Sequence, residues 1–327
     1  MRKDSALKKP QISPALVLFV LSPAIGELLS GSSPPLEFFN PFAFIFMASL
    51  YGSGAIVVRE LRMRWKKDFR SILLFGAAYG ILEEGLLVKS FFDPKWVDLG
   101  ILGSFGRWAE VNWVWTEELI IYHAVFSIAI PIALLELAYP ERRDERWVGK
   151  RLFAGLIAVL VAVMAIGFLF LTGYRPPALQ YLLAIAAMVV FGYLAYKLPI
   201  RKEREFVEGK KKTKTVYFIG LAGSTLFFLL FFAGPYLIGD PIILMVLGLI
   251  LVFGCARAVK RFDLRSPQGD LNRLALVAGA LSFLIFLAFM EELGGASHGT
   301  PSGMSFAGLG AIAGLLLLRS KVKKREA

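Results

Sequence analysis

The chain has 327 residues, 57% of them hydrophobic and only 19% charged, with a mean hydropathy of +0.63 and a formal charge of +12. That composition excludes a soluble globule, whose apolar residues do not gather into long uninterrupted runs. One Cys (Cys255) and two His (His123, His298) exclude a disulfide framework, a cysteine-based zinc or iron–sulfur site and a three-histidine zinc site. The available chemistry is mostly that of carboxylates, and neither a metal nor another cofactor is expected.

Apolar runs long enough to cross a ~30 Å hydrocarbon core predict spans at 14–31, 41–60, 70–90, 113–140, 151–173, 178–199, 216–239, 241–258, 271–294 and 300–319. The fold class is therefore all-α, a polytopic membrane bundle of about ten helices without a soluble domain. Ser13-Pro14, Asn40-Pro41, Asp240-Pro241 and Thr300-Pro301 each place a capping side chain before a proline at the first helical position. With a cytoplasmic N-terminus, 33 of the 37 Lys and Arg fall in inner segments; only Lys89, Lys95, Arg107 and Arg175 lie outside. Because Lys and Arg resist translocation, this predicts cell-membrane insertion with both termini cytoplasmic. The positive charge is thus topological. It favours membrane lipids as partners, and nucleic acid is not needed to explain it.

Along the chain, the first apolar run follows basic residues as a secretion signal does, but Glu27 interrupts it and further spans follow, so a retained helix is expected. In span two, Tyr51, Gly52 and Gly54 read as close packing, and Arg59-Glu60 as an interface pair on the inner side. Span three holds Gly76-Ala-Ala-Tyr79-Gly80-Ile-Leu-Glu83-Glu84-Gly85, whose i, i+4 spacing stacks Gly76, Gly80 and Glu84 on one stripe and Tyr79 over Glu83 on the next. Glu83 lies roughly 20 Å along this helix from its inner start at residue 70, in the outer half of the membrane. The aromatic connection from Phe91 to Asn112 follows, in which Arg107, like Lys89 before it, is placed to neutralise a glutamate.

Span four descends from the outer side with Thr116, His123 and Ser127 on one stripe. His123 reaches the depth of Glu83, and Glu27 of span one arrives at a similar level. Glu117 and Glu118 sit high enough to read as a solvated helix end. Spans five to eight are nearly featureless, which divides the chain into a polar-site region, 1–140, and a mostly apolar region, 141–327. Glu291, Glu292 and His298 beside Gly-Gly-Ala-Ser read as an interfacial turn.

A charged side chain near the bilayer centre costs about 2.5 to 3.5 kcal/mol on insertion scales, so each one implies a partner, water or a function. Two adjacent carboxylates in a low-dielectric pocket cannot both ionise cheaply, so one holds a proton while the other acts as a base. The candidate catalytic residues are Glu83, Glu84 and His123. Glu27, Tyr79, Thr116, Ser127 and Arg107 are expected to line the site.

The order of a glutamate pair, Glu83-Glu84, then an outer loop, then His123 resembles the CPBP (CAAX protease and bacteriocin-processing) family of intramembrane proteases. Its helices carry Glu-Glu-x-x-x-Arg, Phe-x-x-x-His and His-x-x-x-Asn motifs. The likeness covers spans three and four. Val88 stands where the arginine falls, with Lys89 one place later, Leu119 replaces the phenylalanine, and no His-x-x-x-Asn follows. The resemblance implies that one glutamate activates water while His123 stabilises the oxyanion, with metal not essential.

Three function classes follow. The first is a glutamate-dependent intramembrane hydrolase with an outward-facing site, acting on a membrane-embedded peptide or small molecule. The second is a proton- or cation-coupled transporter using the same residues, for which broken helices and an internal repeat are expected, and neither is evident in the sequence. The third is a non-catalytic assembly subunit whose polar cluster locks helices together.

Overall fold

The computed structural model describes residues 12–200, 212–264, 266, 269–294 and 300–326. Its helical runs are α1 (Pro14–Leu28), α2 (Pro41–Arg64), α3 (70–87), α4 (Trp113–Ala138), α5 (Lys150–Leu171), α6 (Ala178–Lys197), α7 (Thr213–Leu237), α8 (Pro241–Val259), α9 (Asp270–Gly294) and α10 (Met304–Glu326). Eight helices among the described residues, α2 and α4 to α10, are long and apolar enough to cross a membrane. The other two expected spans are helical but different: α1 is shorter, and α3 carries Arg70, Glu83 and Glu84. The protein is an all-α, multi-pass membrane bundle. A two-residue antiparallel hairpin, Arg107–Trp108 with Val111–Asn112, is its small β element.

Two of the proline-marked starts are capped as their sequence predicts. Asn40 accepts from Phe42 N and Ala43 N at 3.0 and 3.3 Å, and Asp240 from Ile242 N and Ile243 N at 2.8 and 3.1 Å. Ser13 makes no side-chain cap, although Pro14 does begin α1. α10 begins at Met304 rather than at the expected Thr300-Pro301; Glu292 accepts from the backbone N–H groups of Gly303 and Ser305 and so satisfies that helix start from α9.

α4 is the central helix, with 78% of its most apolar window buried, while α6 has 6% and α8 has 11%, which leaves those two facing lipid. One core joins α1 to α6, and a second joins α1 and α4 to α7, α8, α9 and α10, so buried packing runs across the division at residue 140. α7 and α9 approach backbone to backbone. A Cβ on Gly220 would lie 2.3 Å from Leu276 O, and one on Gly279 would lie 2.1 Å from Tyr217 O, so glycine is required at both positions.

Side-chain contacts define two ends. At one, Gln180 donates to Ala109 O, Gly106 meets Pro241, and Gly31 meets Glu291, which gathers the 29–40, 88–112, 172–177 and 238–240 connections. At the other, the basic end, Lys67 Nζ donates to Leu198 O, and Arg325 donates to Leu137 O. Glu136 is fully buried there. It pairs with Arg62, with Arg273 at 2.7 Å and with Arg59 at 3.8 Å, while Arg143 holds Asp270 through two contacts of 2.6 and 2.8 Å. Arg59 also donates to the carbonyls of Arg142, Arg143 and Glu145 and lies 3.4 Å over the Trp147 ring. Arg59-Glu60, expected as an interface pair, thus belongs to a buried network joining α2, α4, the 139–149 connection and α9.

Candidate functional site

Among the described residues, five helices carry a π-helical turn, one of them Gly167–Leu171 at the end of α5, and the other four surround one cluster. π-helical turns, with i→i+5 bonding, occupy Ala24–Leu28 in α1, Ala48–Gly52 in α2, Ile81–Leu87 in α3 and His123–Ala129 in α4. Leu29 N donates to Ala24 O at 3.0 Å and Val88 N to Glu83 O at 2.8 Å, both across five residues. A π turn inserts one residue per bulge and re-aims the side chains that follow, which is why such turns gather at functional sites. The residues they carry here are Glu27, Tyr51, Glu83, Glu84, His123 and Ser127.

These side chains meet. His123 is 2% exposed, with Nε2 3.2 Å from Glu84 Oε1 and Nδ1 3.3 Å from Glu83 Oε2 and 3.0 Å from Ser127 Oγ. Ser90 Oγ donates to Glu84 Oε2 and accepts from Trp115 Nε1 at 3.0 Å. Tyr51 donates its hydroxyl to Glu27 Oε1, and Ser33 Oγ donates to Glu27 Oε2 at 2.9 Å. The rings of Tyr51 and Tyr79 lie 6.0 and 6.2 Å from His123 and close one side of the imidazole. The Tyr79 hydroxyl lies near the Glu83 carboxylate, whose Oε2 makes its contact with His123 Nδ1.

Small residues let the helices come this near. A Cβ on Gly76 would lie 2.8 Å from Ala124 Cα, and one on Gly80 would lie 3.1 Å from His123 Cβ, which presses α3 onto α4 where the glutamates emerge. Gly54 leaves room for the Tyr79 ring, and Gly26 lies over Tyr51 and Ser127.

Glu27, Tyr79, Glu83, Glu84, His123 and Ser127 are therefore brought together, and two expected members are not. Thr116 Oγ1 donates to Asn112 O at 2.6 Å in the first turn of α4, seven residues or roughly 10 Å of helix rise above His123. Arg107 donates to Phe92 O at 2.7 Å and pins the hairpin; it reaches no glutamate of the cluster. Lys89 does not neutralise one either. Fully buried, with φ of 68°, it donates to Phe168 O, Thr172 O and Tyr174 O at 3.0 to 3.2 Å, serving the carbonyls at the end of α5.

Glu117 and Glu118 are not a solvated helix end. Glu118 is 4% exposed, and Glu117 presses against Gly248 of α8 with both carboxylate oxygens buried and without hydrogen bonds. The Glu291 carboxylate fits under Gly31, where φ is 85° and no side chain is present to block it. His298 lies outside the described residues.

Sequence reasoning treated Tyr51 as a packing residue and missed Ser22, Ser33 and Ser90. Ser22 Oγ donates to Ser127 O at 2.7 Å and Tyr51 O at 3.2 Å, tying together the three helices that carry the cluster's floor. A signal was present: Ser22 precedes a proline inside an apolar helix, and Tyr51 sits in a span with Gly on its next turn.

Chemically, the cluster offers acid, base and ligand atoms in one buried place. One oxygen of Glu83, one of Glu84 and one nitrogen of His123 all lie within 4.8 Å of one another. An apolar groove of about 460 Å³ lies along α1, lined by Val20, Ala24, Leu28, Phe38, Phe39, Pro41 and Phe44, none of them a member of the cluster. Ala24 and Leu28 belong to the same π turn as Glu27.

No curated protein and no solved structure matches the chain. A family model described as "Uncharacterized membrane protein family" matches residues 16–318, a stretch that takes in every helix of the cluster, and the chain belongs to that family.

Proposed function

We propose that the protein is a glutamate- and histidine-dependent intramembrane hydrolase of peptidase type, set in the cell membrane by ten spans with both termini cytoplasmic and its site in the outer half. The observation that carries this reading is the imidazole of His123 held between the carboxylates of Glu83 and Glu84. Glu83 faces Nδ1 and Glu84 faces Nε2, so the imidazole is placed to exchange a proton with a carboxylate on either side. That is the equipment for general acid–base chemistry.

In the proposed reaction a carboxylate takes a proton from water as the oxygen attacks the scissile carbonyl. The imidazole N–H stabilises the oxyanion, and the proton passes to the departing amine as the C–N bond breaks. Tyr51 and Ser33 orient Glu27 at the edge of this unit. The apolar groove beside α1 supports a substrate that arrives from the lipid. The resemblance of Glu83-Glu84 and His123 to the CPBP proteases points the same way.

The test is hydrolysis of a transmembrane peptide by the full chain in detergent or vesicles. Wild type cleaves, whereas Glu83→Gln and Glu84→Gln, each still folded, do not; cleavage by both variants at the wild-type rate overturns the reading. One observation favours a transporter as the second reading: the π turns interrupt the α-helical bonding of four spans around one cluster, as coupling sites require. Substrate-dependent proton flux in vesicles without cleavage would select it.

A further inference from the structure

We infer that Trp115 and Ser90 are positioning residues for Glu84. A one-way hydrogen-bond chain, from Trp115 Nε1–H to Ser90 Oγ–H to Glu84 Oε2, turns the other carboxylate oxygen, Oε1, to the Nε2 side of His123. The inference rests on the hydrolase reading, because it names what sets the direction of proton exchange within that site.

The first line is what each atom can do. An indole N–H donates and cannot accept, so the 3.0 Å contact from Trp115 Nε1 occupies an acceptor site on Ser90 Oγ. The serine hydroxyl has one proton to give, and Glu84 Oε2 takes it; the other acceptor within reach, Glu84 O, is at 3.4 Å. Ser90 is fully buried, which shields this hydroxyl from bulk water. Glu84 Oε2 is thereby held as an acceptor. A proton that joins Glu84 goes to Oε1, the oxygen 3.2 Å from His123 Nε2, so exchange is confined to one oxygen of the carboxylate.

The second line is how the chain is held. Trp115 N donates to Asn112 Oδ1 at 2.9 Å in the cap of α4, and Asn112 N donates to Phe91 O at 2.9 Å. The residue after Ser90 is thus tied to the turn that carries Trp115, and the two ends of the 88–112 connection are joined beside Glu84. The Phe91 ring lies on Gly85, where a Cβ would be 3.0 Å from it, and the Trp115 ring packs with Ile81, Phe91 and Val111. Donor and hydroxyl are therefore fixed by backbone bonds and by packing that do not involve Glu84 itself.

The third is a contrast between indoles. Trp113, two positions earlier on α4, is exposed and donates to Trp108 O at 3.1 Å, and Trp147 donates to Arg142 O at 2.9 Å. Both spend the N–H on a backbone carbonyl, whereas Trp115 gives its own to a side chain that touches a carboxylate of the cluster. Glu27 has separate donors, Tyr51 and Ser33, so the loss of Trp115 or Ser90 falls on Glu84.

The experiment uses the full chain in detergent with ¹⁵N-labelled histidine. The sequence has two histidines, His123 and His298, and His123→Gln assigns their ring signals. Trp115→Phe keeps aromatic packing and removes the N–H, and Ser90→Ala removes the hydroxyl. Both are expected to move the His123 Nε2 signal and to lower kcat for cleavage of a transmembrane peptide about ten- to a hundredfold with KM unchanged, the signature of a misplaced group. Ser90→Thr, which restores the hydroxyl, recovers both towards wild type. Trp113→Phe, outside the chain, leaves the signal and kcat as they are. A His123 signal unmoved in either Trp115→Phe or Ser90→Ala overturns the inference, and so does a wild-type kcat in either variant. Failure of the hydrolase reading looks different: wild type does not cleave, yet the His123 signal moves in both variants, and the chain stands as what orients Glu84.

Discussion

At the basic end of the bundle Glu136 and Asp270 meet Arg59, Arg62, Arg143 and Arg273, whereas at the opposite level Glu27, Glu83 and Glu84 meet one imidazole. Both regions are buried, and both are built from residues far apart in sequence. The difference lies in saturation. Around Glu136 each carboxylate oxygen has a guanidinium, and carbonyls of the 139–149 connection take further N–H groups of Arg59, so opposite charges are matched there even though Arg59 Nε and Glu60 Oε2 make no hydrogen bond. Such a network holds helices in register, because removing one member strands the others. Around His123 three carboxylates gather near one imidazole, and the backbone itself is wound abnormally to bring the groups together. A fold tolerates that only where the surroundings enforce it, and such places are where function concentrates.

The largest expected effect that would break this comparison is at the unsaturated end. Glu84→Gln should lower peptide hydrolysis by about 10²- to 10⁴-fold, the range for losing an acid–base group, while the unfolding temperature stays within a few degrees of wild type or rises, since a charge excess is relieved. A large drop in stability would instead make the cluster a second structural network. At the saturated end, Glu136→Ala should cost about 3–5 kcal/mol, because it leaves buried guanidinium groups uncompensated; thermal unfolding in detergent reads it, and a neutral result would dissolve the contrast. Gly220→Val tests the α7–α9 seam, away from the His123 cluster. Overpacking against the Leu276 carbonyl is expected to cost roughly 1–3 kcal/mol with catalysis per folded molecule unchanged. Tyr51→Phe is smaller: the lost bond to Glu27 is worth about 1 kcal/mol, and its effect should fall on the rate more than on stability. Arg107→Gln should be the least, with hydrolysis unchanged, since its guanidinium serves only the hairpin and its surroundings.

What could be read ahead of the structure was whatever is encoded locally. The apolar runs, the caps at Asn40 and Asp240, and the glycine stripe of span three all depend on residues within one or two turns of one another, and the positions of Glu83, Glu84 and His123 along their helices follow from a fixed rise per residue. What escaped depends on partners that carry no sequence identity or lie far away. Lys89 is satisfied by carbonyl oxygens, which every residue has. Arg62 and Arg273 reach Glu136 across 74 and 137 positions. The π turns are a response of the backbone to its neighbours, and no residue type announces them. Thr116 failed for a different reason: it shares a helix face with His123 but lies two turns away along the axis, where its hydroxyl bonds Asn112 O.

The glycine contact between α7 and α9 has a consequence for the order of assembly. Residues near the start of α7 (Tyr217, Gly220, Leu221) meet residues near the start of α9 (Leu276, Gly279, Ala280), so the two helices run parallel, and α8 is the return between them. A parallel pair cannot form as a hairpin leaving the translocon together. α7 must wait in lipid with its Gly220 face open until α8 has crossed back and α9 has been made, and only then do the backbones close upon each other. The α7–α9 seam is therefore a step of maturation after insertion, and a ribosome stalled after α8 leaves that seam unzipped.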